Sequence, residues 1–197
     1  MRQPALITPR AMVRLLRSSA LAAAIALLLP LAPAPASAHH IEYGGVHWRR
    51  QYAVYPSIVY TVDHTRPAVW PVRASADTWN QNGNRLWVLY RSAAEGCPVG
   101  GQCAHVWEYN YPDGLTGITY MNWDRNLHFT AVSSNLNNWY YLTPDGHRQV
   151  ACHELGHAIG LWHQAYGSGS CMQNPTNGEA PFPNQHDIDQ VVALYSH

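Results

Sequence analysis

The stretch from residue 152 to residue 172 constrains the fold and chemistry of this chain more than any other. It contains the pattern H-E-x-x-H-x-x-G-x-x-H, whose fixed positions are His153, Glu154, His157, Gly160 and His163. Four residues of a helix advance about 400°, so His153 and His157 project from one face and can share a metal ion. Glu154 lies about 100° from His153, beside that ion rather than on it. The pattern therefore predicts a metal-binding helix with a neighbouring carboxylate.

His163 can join the other two histidines only if the helix ends before it. In a continuous helix, the side chains of His153 and His163 would point about 280° apart around the helix axis. Gly160 allows the required turn, because glycine adopts a positive φ and closes a helix C-terminus without a Cβ clash. Three neutral imidazoles suit tetrahedral Zn²⁺ with a fourth position open to water, which is typical of catalytic zinc sites.

Chance is the main alternative for the short H-E-x-x-H motif, because the chain has 12 histidines among its 197 residues. Three further residues at the expected positions argue against chance: Gly160, His163 and the downstream Met172. We therefore interpret the stretch as a metal site.

The same residues resemble those of the metzincin zinc endopeptidases, in which a long zinc-binding pattern precedes a methionine-containing turn. Within that clan, the sequences H-E-L-G-H-A-I-G-L-W-H and D-I-D-Q-V-V-A-L-Y are most similar to matrixins and to short secreted bacterial matrixin-like proteases. The resemblance is specific over about residues 143–197 and is weaker before them.

The resemblance implies an α+β, metzincin-like zincin fold: a twisted, mixed, mostly parallel sheet, an active-site helix and a small C-terminal subdomain. It also implies a zinc endopeptidase in which Glu154 is the general base and Met172 provides an apolar floor under the metal. A protein or peptide substrate would lie extended along the edge strand near residues 117–121. Some metzincins have a tyrosine two residues after this methionine, where it can bind the metal, but this chain has Asn174.

The first 38 residues are predicted to be a signal peptide, which implies a secreted protein. Arginines at positions 2, 10, 14 and 17 precede an apolar run over residues 20–29, and Ala36-Ser37-Ala38 is a cleavage signal. Pro30 ends the apolar run before it is long enough to span a membrane, so no membrane association is expected after cleavage. Residues 39–197 would then form one catalytic domain.

The charge distribution indicates no polyanionic partner. The predicted mature chain would lose four of the 12 basic residues and none of the 12 acidic ones, which leaves a net charge of −4. Its basic residues are all arginines, and they form no run of the kind that binds nucleic acid. We expect a monomer that acts on a protein or peptide and binds no nucleic acid.

The cysteines of the chain are Cys97, Cys103, Cys152 and Cys171. An even number in an exported chain favours two disulfides, for which three pairings exist. A second zinc site is the alternative, but the C-x-x-C spacing of such sites is missing. Our hypothesis pairs each cysteine with its nearer neighbour in sequence, Cys97 with Cys103 and Cys152 with Cys171. The second pair would tie the predicted helix to the segment before Met172.

Alternating and helical patterns of apolar residues predict the remaining elements. Strands are predicted near residues 58–62, 86–90, 105–109, 117–121 and 128–133, with helices near residues 69–82 and 187–195. Thr143 is the predicted N-cap of the metal-binding helix, and Pro144 is its predicted first residue. The segment 173–185 is predicted to be an irregular loop.

Three other groups of residues have simple structural explanations. The aromatic residues at positions 139–141 could contact sugars, but we expect them to pack on the sheet. His39, His40 and His47 are expected to lie in a solvated N-terminal segment rather than to bind metal. Asp187 and Asp189 are expected to be acids in the first turn of the C-terminal helix, where the helix dipole favours them. These two residues, Asp113 and Asp124 lack the spacing of a calcium loop, so calcium is possible but not indicated.

Two functions from other classes are alternatives. A secreted, aromatic-rich carbohydrate- or cell-wall-binding module would explain the aromatic residues, and a non-catalytic zinc-binding domain would keep the histidines. Both alternatives leave Glu154 without a role, whereas a zinc endopeptidase uses it as a base. The sequence therefore favours the endopeptidase.

Overall fold

The computed structural model describes residues 45–51 and 56–196. The predicted signal peptide, residues 1–38, lies outside the described residues, as do His39 and His40. The described part contains the strands β1 Ser57–Asp63, β2 Leu86–Ser92, β3 Gln102–Tyr109, β4 Gly117–Trp123 and β5 Phe129–Asn137, and the helices α1 Val72–Thr78, α2 Pro144–Ala158 and α3 Gln185–Leu194. None of these helices has the length and apolar character needed to cross a membrane.

The strands form one mixed sheet in the order β2-β1-β3-β5-β4. β1, β2, β3 and β5 run parallel, and β4 runs antiparallel to β5 at one edge. The predicted α+β class and mixed, mostly parallel sheet are confirmed. β5 extends beyond its predicted end at residue 133, because residues 134–137 pair with residues 106–109 of β3.

The core lies where α1 and α2 pack against each other and against the sheet. α1 contacts β2, and α2 contacts β4 and β5. Val59, Leu86 and Leu136 of the sheet are fully buried, as is Leu155 of α2. Burial of a side chain of this size contributes roughly 1.5–3 kcal/mol, so these contacts hold α2 firmly on the sheet.

Helix α2 begins and ends where the sequence predicts. Thr143 is its N-cap, and the threonine hydroxyl accepts a hydrogen bond from the Gly146 amide at 3.1 Å. Pro144 lies in the first turn, where the missing amide hydrogen has no intrahelical partner to lose. At the other end, Gly160 has a φ of +99°, and a Cβ there would collide with the Val46 carbonyl oxygen. Only glycine fits this turn, so the chain leaves the helix axis at this point.

The expectation of a solvated His47 is wrong, because the residue is buried. Its amide donates to the Leu127 carbonyl (3.1 Å), and its carbonyl accepts from the Phe129 amide (2.9 Å). The flanking Val46 and Trp48 are buried as well. Burial of these two apolar side chains carries the histidine between them into the interior.

The expectation that the aromatic residues at 139–141 pack on the sheet is wrong for two of them. Trp139 is 54% exposed and Tyr141 is 94% exposed. β5 ends at Asn137, so both residues lie in the connection to α2 and have no cross-strand neighbour.

We predict that Gly156→Ala destabilises the protein, although alanine is the better helix former by about 1 kcal/mol. Gly156 lies inside α2, and a Cβ there would collide with the Met172 sulfur and approach Trp79 Cζ2 to 2.9 Å. Such overpacking costs about 1–3 kcal/mol. Gly146→Ala on the same helix is the control, because its Cβ would come no closer than 3.3 Å to the Leu142 Cβ. Denaturant unfolding measures both variants, and an unchanged midpoint for Gly156→Ala would contradict the prediction.

Candidate metal centre

Three histidine nitrogens converge at the C-terminal end of α2. His157 Nε2 lies 3.1 Å from His153 Nε2 and 3.1 Å from His163 Nε2. His153 and His157 are one turn apart on the helix, and His163 approaches from the chain beyond Gly160. The structure therefore brings the three predicted residues together in a cluster that could hold a metal ion.

The donor set of this cluster fits a tetrahedral ion. Zn–N bonds of 2.0–2.1 Å at tetrahedral angles place ligand nitrogens about 3.3 Å apart. The two distances from His157 Nε2, 3.1 Å each, are close to this value. His153 Nδ1 donates to the Cys171 carbonyl (2.7 Å), and His157 Nδ1 donates to the Leu161 carbonyl (2.8 Å). These bonds put the ring proton on Nδ1 and leave the Nε2 lone pair directed at the cluster centre.

Two side chains contact the ring of His163. The Asn174 amide group lies 3.3 Å from His163 Nδ1, and the Trp162 ring stacks on the imidazole with centroids 4.4 Å apart. If His163 binds a metal through Nε2, its Nδ1 carries the proton, and Asn174 must present its Oδ1 as the acceptor. Asn174, at the position where some metzincins have a tyrosine, thus contacts one of the three candidate ligands.

Burial keeps the helix histidines neutral. Desolvation lowers the pKa of His153 to about 4, against the opposing effect of its hydrogen bond to the Cys171 carbonyl. Desolvation, followed by the neighbouring His153, holds the pKa of His157 well below its usual value. Neutral imidazoles are the form that binds metal, so both rings are ready to act as ligands near pH 7.

Glu154 lies beside the three histidines and outside their cluster, as its helical position predicts. Its side chain is almost completely buried, and its Oε2 accepts a hydrogen bond from the Thr119 hydroxyl at 2.7 Å. Desolvation raises the pKa of Glu154 to about 8, while the bond from Thr119 acts in the opposite direction. A carboxylate with a raised pKa in a cleft is a candidate for proton transfer.

The histidines and Glu154 open into a cleft of about 660 Å³. One wall is the chain from Gly114 to Met121, which includes most of β4, and the other includes Trp162 and residues 174–176. Among the described residues that line the cleft, Glu154 is the only one with a carboxylate. The cleft therefore joins a candidate metal centre, one buried acid and an edge strand.

Both hypothesised disulfides are present. Cys97 is bonded to Cys103, and Cys152 is bonded to Cys171. The second bond links α2 to the residue whose carbonyl accepts from His153. Met172, the next residue, is fully buried, and its sulfur lies close to Gly156. The disulfide therefore joins the helix to the segment that supports it.

Sequence reasoning recognised Asp187 only as an acid in the first turn of α3. The structure confirms this capping role, since Asp187 and Asn184 form a capping box. The Asp187 carboxylate also accepts hydrogen bonds from Ser170 and Gln164, and burial raises its pKa. These contacts tie α3 to the segment before Met172, and no local sequence signal indicates them.

Comparison with known proteins does not assign this chain to a family. No protein-family model matches it, and no curated protein matches it. Support for a function therefore comes from the arrangement of its own residues.

We predict that His163→Ala sharply weakens metal binding, because it leaves two protein ligands where zinc requires three. Zinc content after dialysis, measured by elemental analysis, should fall well below that of the unmodified chain. His105→Ala on β3, outside the cluster, should keep the full zinc content. Equal zinc content in all three proteins would remove His163 from the ligand set.

We also predict that loss of the Cys152–Cys171 disulfide weakens metal binding before it unfolds the sheet. The bond has a sequence separation of 19, for which chain entropy gives roughly 3 kcal/mol of stabilisation. Its removal frees the carbonyl that orients His153, so zinc affinity should fall at temperatures where circular dichroism still reports native secondary structure. The control replaces Cys97 and Cys103 with alanine and should retain zinc affinity. Parallel loss of zinc and secondary structure would contradict the prediction.

Proposed function

We propose that this protein is a secreted, zinc-dependent endopeptidase with a metzincin-like fold. His153, His157 and His163 would hold the zinc, and Glu154 would be the general base. The observation that carries the proposal is one cleft that contains three convergent imidazoles, the buried carboxylate of Glu154 and an edge strand. The two disulfides and the predicted signal peptide support secretion.

The residues divide the chemistry between them. Zinc held by the three neutral imidazoles would supply Lewis acidity and would lower the pKa of a bound water to about 7. Glu154 accepts a proton from the attacking water and later delivers it to the leaving amine. This cycle needs the ionised carboxylate at the start. The Thr119 hydroxyl favours that form, and so does any cation held by the neighbouring histidines.

The shape of the cleft supports cleavage within a chain rather than at its end. β4 pairs with β5 on one side only, and the cleft follows it from Gly117 to Met121. An extended peptide can pair with such an edge through main-chain hydrogen bonds. Five strand residues span about 17 Å, which gives room for several substrate residues around the scissile bond.

We predict that Glu154→Gln retains zinc but loses casein cleavage by about 10²–10⁴-fold, because the amide cannot accept the proton. A chelator should abolish cleavage by the unmodified chain, and added zinc should restore it. Glu95→Gln is the matched control, since Glu95 is exposed and contacts Ser92 outside the cleft.

Two results would contradict the proposal. Glu154→Gln with full activity would exclude the base role of Glu154. A zinc-loaded chain that binds polysaccharide and cleaves no peptide would favour the carbohydrate-binding alternative, and zinc binding alone would favour the non-catalytic domain.

A further inference from the structure

Two residues of β4 enclose the carboxylate of Glu154. Gly117 and Thr119 are two positions apart on the strand and therefore face the same side. The Thr119 hydroxyl lies 2.7 Å from Glu154 Oε2. On the other side, a Cβ added to Gly117 would lie 2.7 Å from Glu154 Oε1 and 2.8 Å from its Cγ. The carboxylate therefore lies between the Thr119 hydroxyl and the backbone of Gly117, which has no side chain.

The hydroxyl proton of Thr119 is best assigned to the carboxylate. Thr119 Oγ1 also lies 3.1 Å from the Glu154 carbonyl oxygen, but the contact with Oε2 is shorter and is charge-assisted when Glu154 is ionised. The Ser134 hydroxyl, opposite Thr119 in the register of β4 and β5, lies 2.9 Å from the Thr119 hydroxyl and 3.2 Å from the Glu154 carbonyl oxygen, and it can donate to either. With Ser134 as the donor to these two oxygens, the Thr119 proton is left for the Glu154 side chain.

Gly117 is needed here for space and not for backbone conformation. Its φ lies outside the left-handed region that favours glycine, so another residue could adopt the same backbone. A methyl group at this position would meet the Cγ, Cδ and Oε1 atoms of Glu154, whose side chain borders the cleft and can rotate into it. The fold would then survive, while the carboxylate would leave its position.

We propose that Gly117 and Thr119 are positioning residues for the general base Glu154. The proposal rests on the endopeptidase function proposed above. The strand that would pair with the substrate then also fixes the group that moves the proton. Geometry of this kind matters because a proton acceptor must stay within hydrogen-bond reach of the water that it deprotonates.

The test compares kcat, KM and zinc content of four variants on one fluorogenic peptide. Thr119→Val keeps the side-chain shape and should lower kcat by about 10- to 100-fold, with KM and zinc content unchanged. Thr119→Ser restores the hydroxyl and should restore most of kcat. Gly117→Ala should also lower kcat, because its methyl group displaces the carboxylate from the side opposite Thr119. Its thermal midpoint should change only a little.

Val88→Ala is the control for a purely structural role. Val88 is buried on β2, at the sheet edge opposite β4, and does not line the cleft. This variant leaves a cavity in the core, so it should lose thermal stability but keep kcat within about twofold. The proposal is overturned if Thr119→Val keeps the unmodified kcat. It is also overturned if Thr119→Val and Val88→Ala lower kcat and thermal midpoint to the same extent.

A readout without turnover separates this proposal from the endopeptidase function. In crystal structures, Glu154 should occupy one rotamer in the unmodified protein. In Thr119→Val and Gly117→Ala it should occupy a different rotamer or more than one. If Glu154 is displaced in the variants but the unmodified protein cleaves no peptide, the result would support the positioning role of Gly117 and Thr119 and refute the endopeptidase function. An unmoved Glu154 in both variants would overturn the positioning, whatever the activity.

Discussion

The candidate site depends on the hydrogen bonds that hold two histidine rings by Nδ1. A backbone carbonyl accepts from His153 and another from His157, so each ring directs its unprotonated nitrogen to the same point. The acceptors belong to Leu161 and Cys171, which lie beyond the end of α2. Neither bond can form unless the chain turns at Gly160, so the turn is a condition for the candidate metal centre.

Strand β4 provides the other half of the cleft. It borders the space in front of the histidines, and its Thr119 contacts Glu154 on α2. Because β4 is joined to the sheet on one side only, these polar contacts with α2 also help to hold it in place. Substrate pairing and proton transfer would therefore depend on the same strand, and a shift of β4 would affect both.

The sequence predicted those features that arise from local signals. Thr143 as the cap of α2, the turn at Gly160 and the convergence of the histidines all follow from spacing within a few turns of helix. Contacts between distant segments were not predictable in this way. Thr119 meets Glu154 across 35 positions, and an alternating pattern shows which side of a strand is buried but not what lies opposite. His47 is buried because of its apolar neighbours, which a search for ligand spacing does not detect.

The most direct test of the central claim is digestion of a peptide library in H₂¹⁸O by the purified chain, analysed by mass spectrometry. If the metal centre activates water for attack on a peptide bond, internal cleavage should produce new C-terminal carboxylates that each carry one ¹⁸O atom. A chelator should abolish these products, and zinc should restore them. A zinc-loaded chain that leaves the library intact would contradict the central claim.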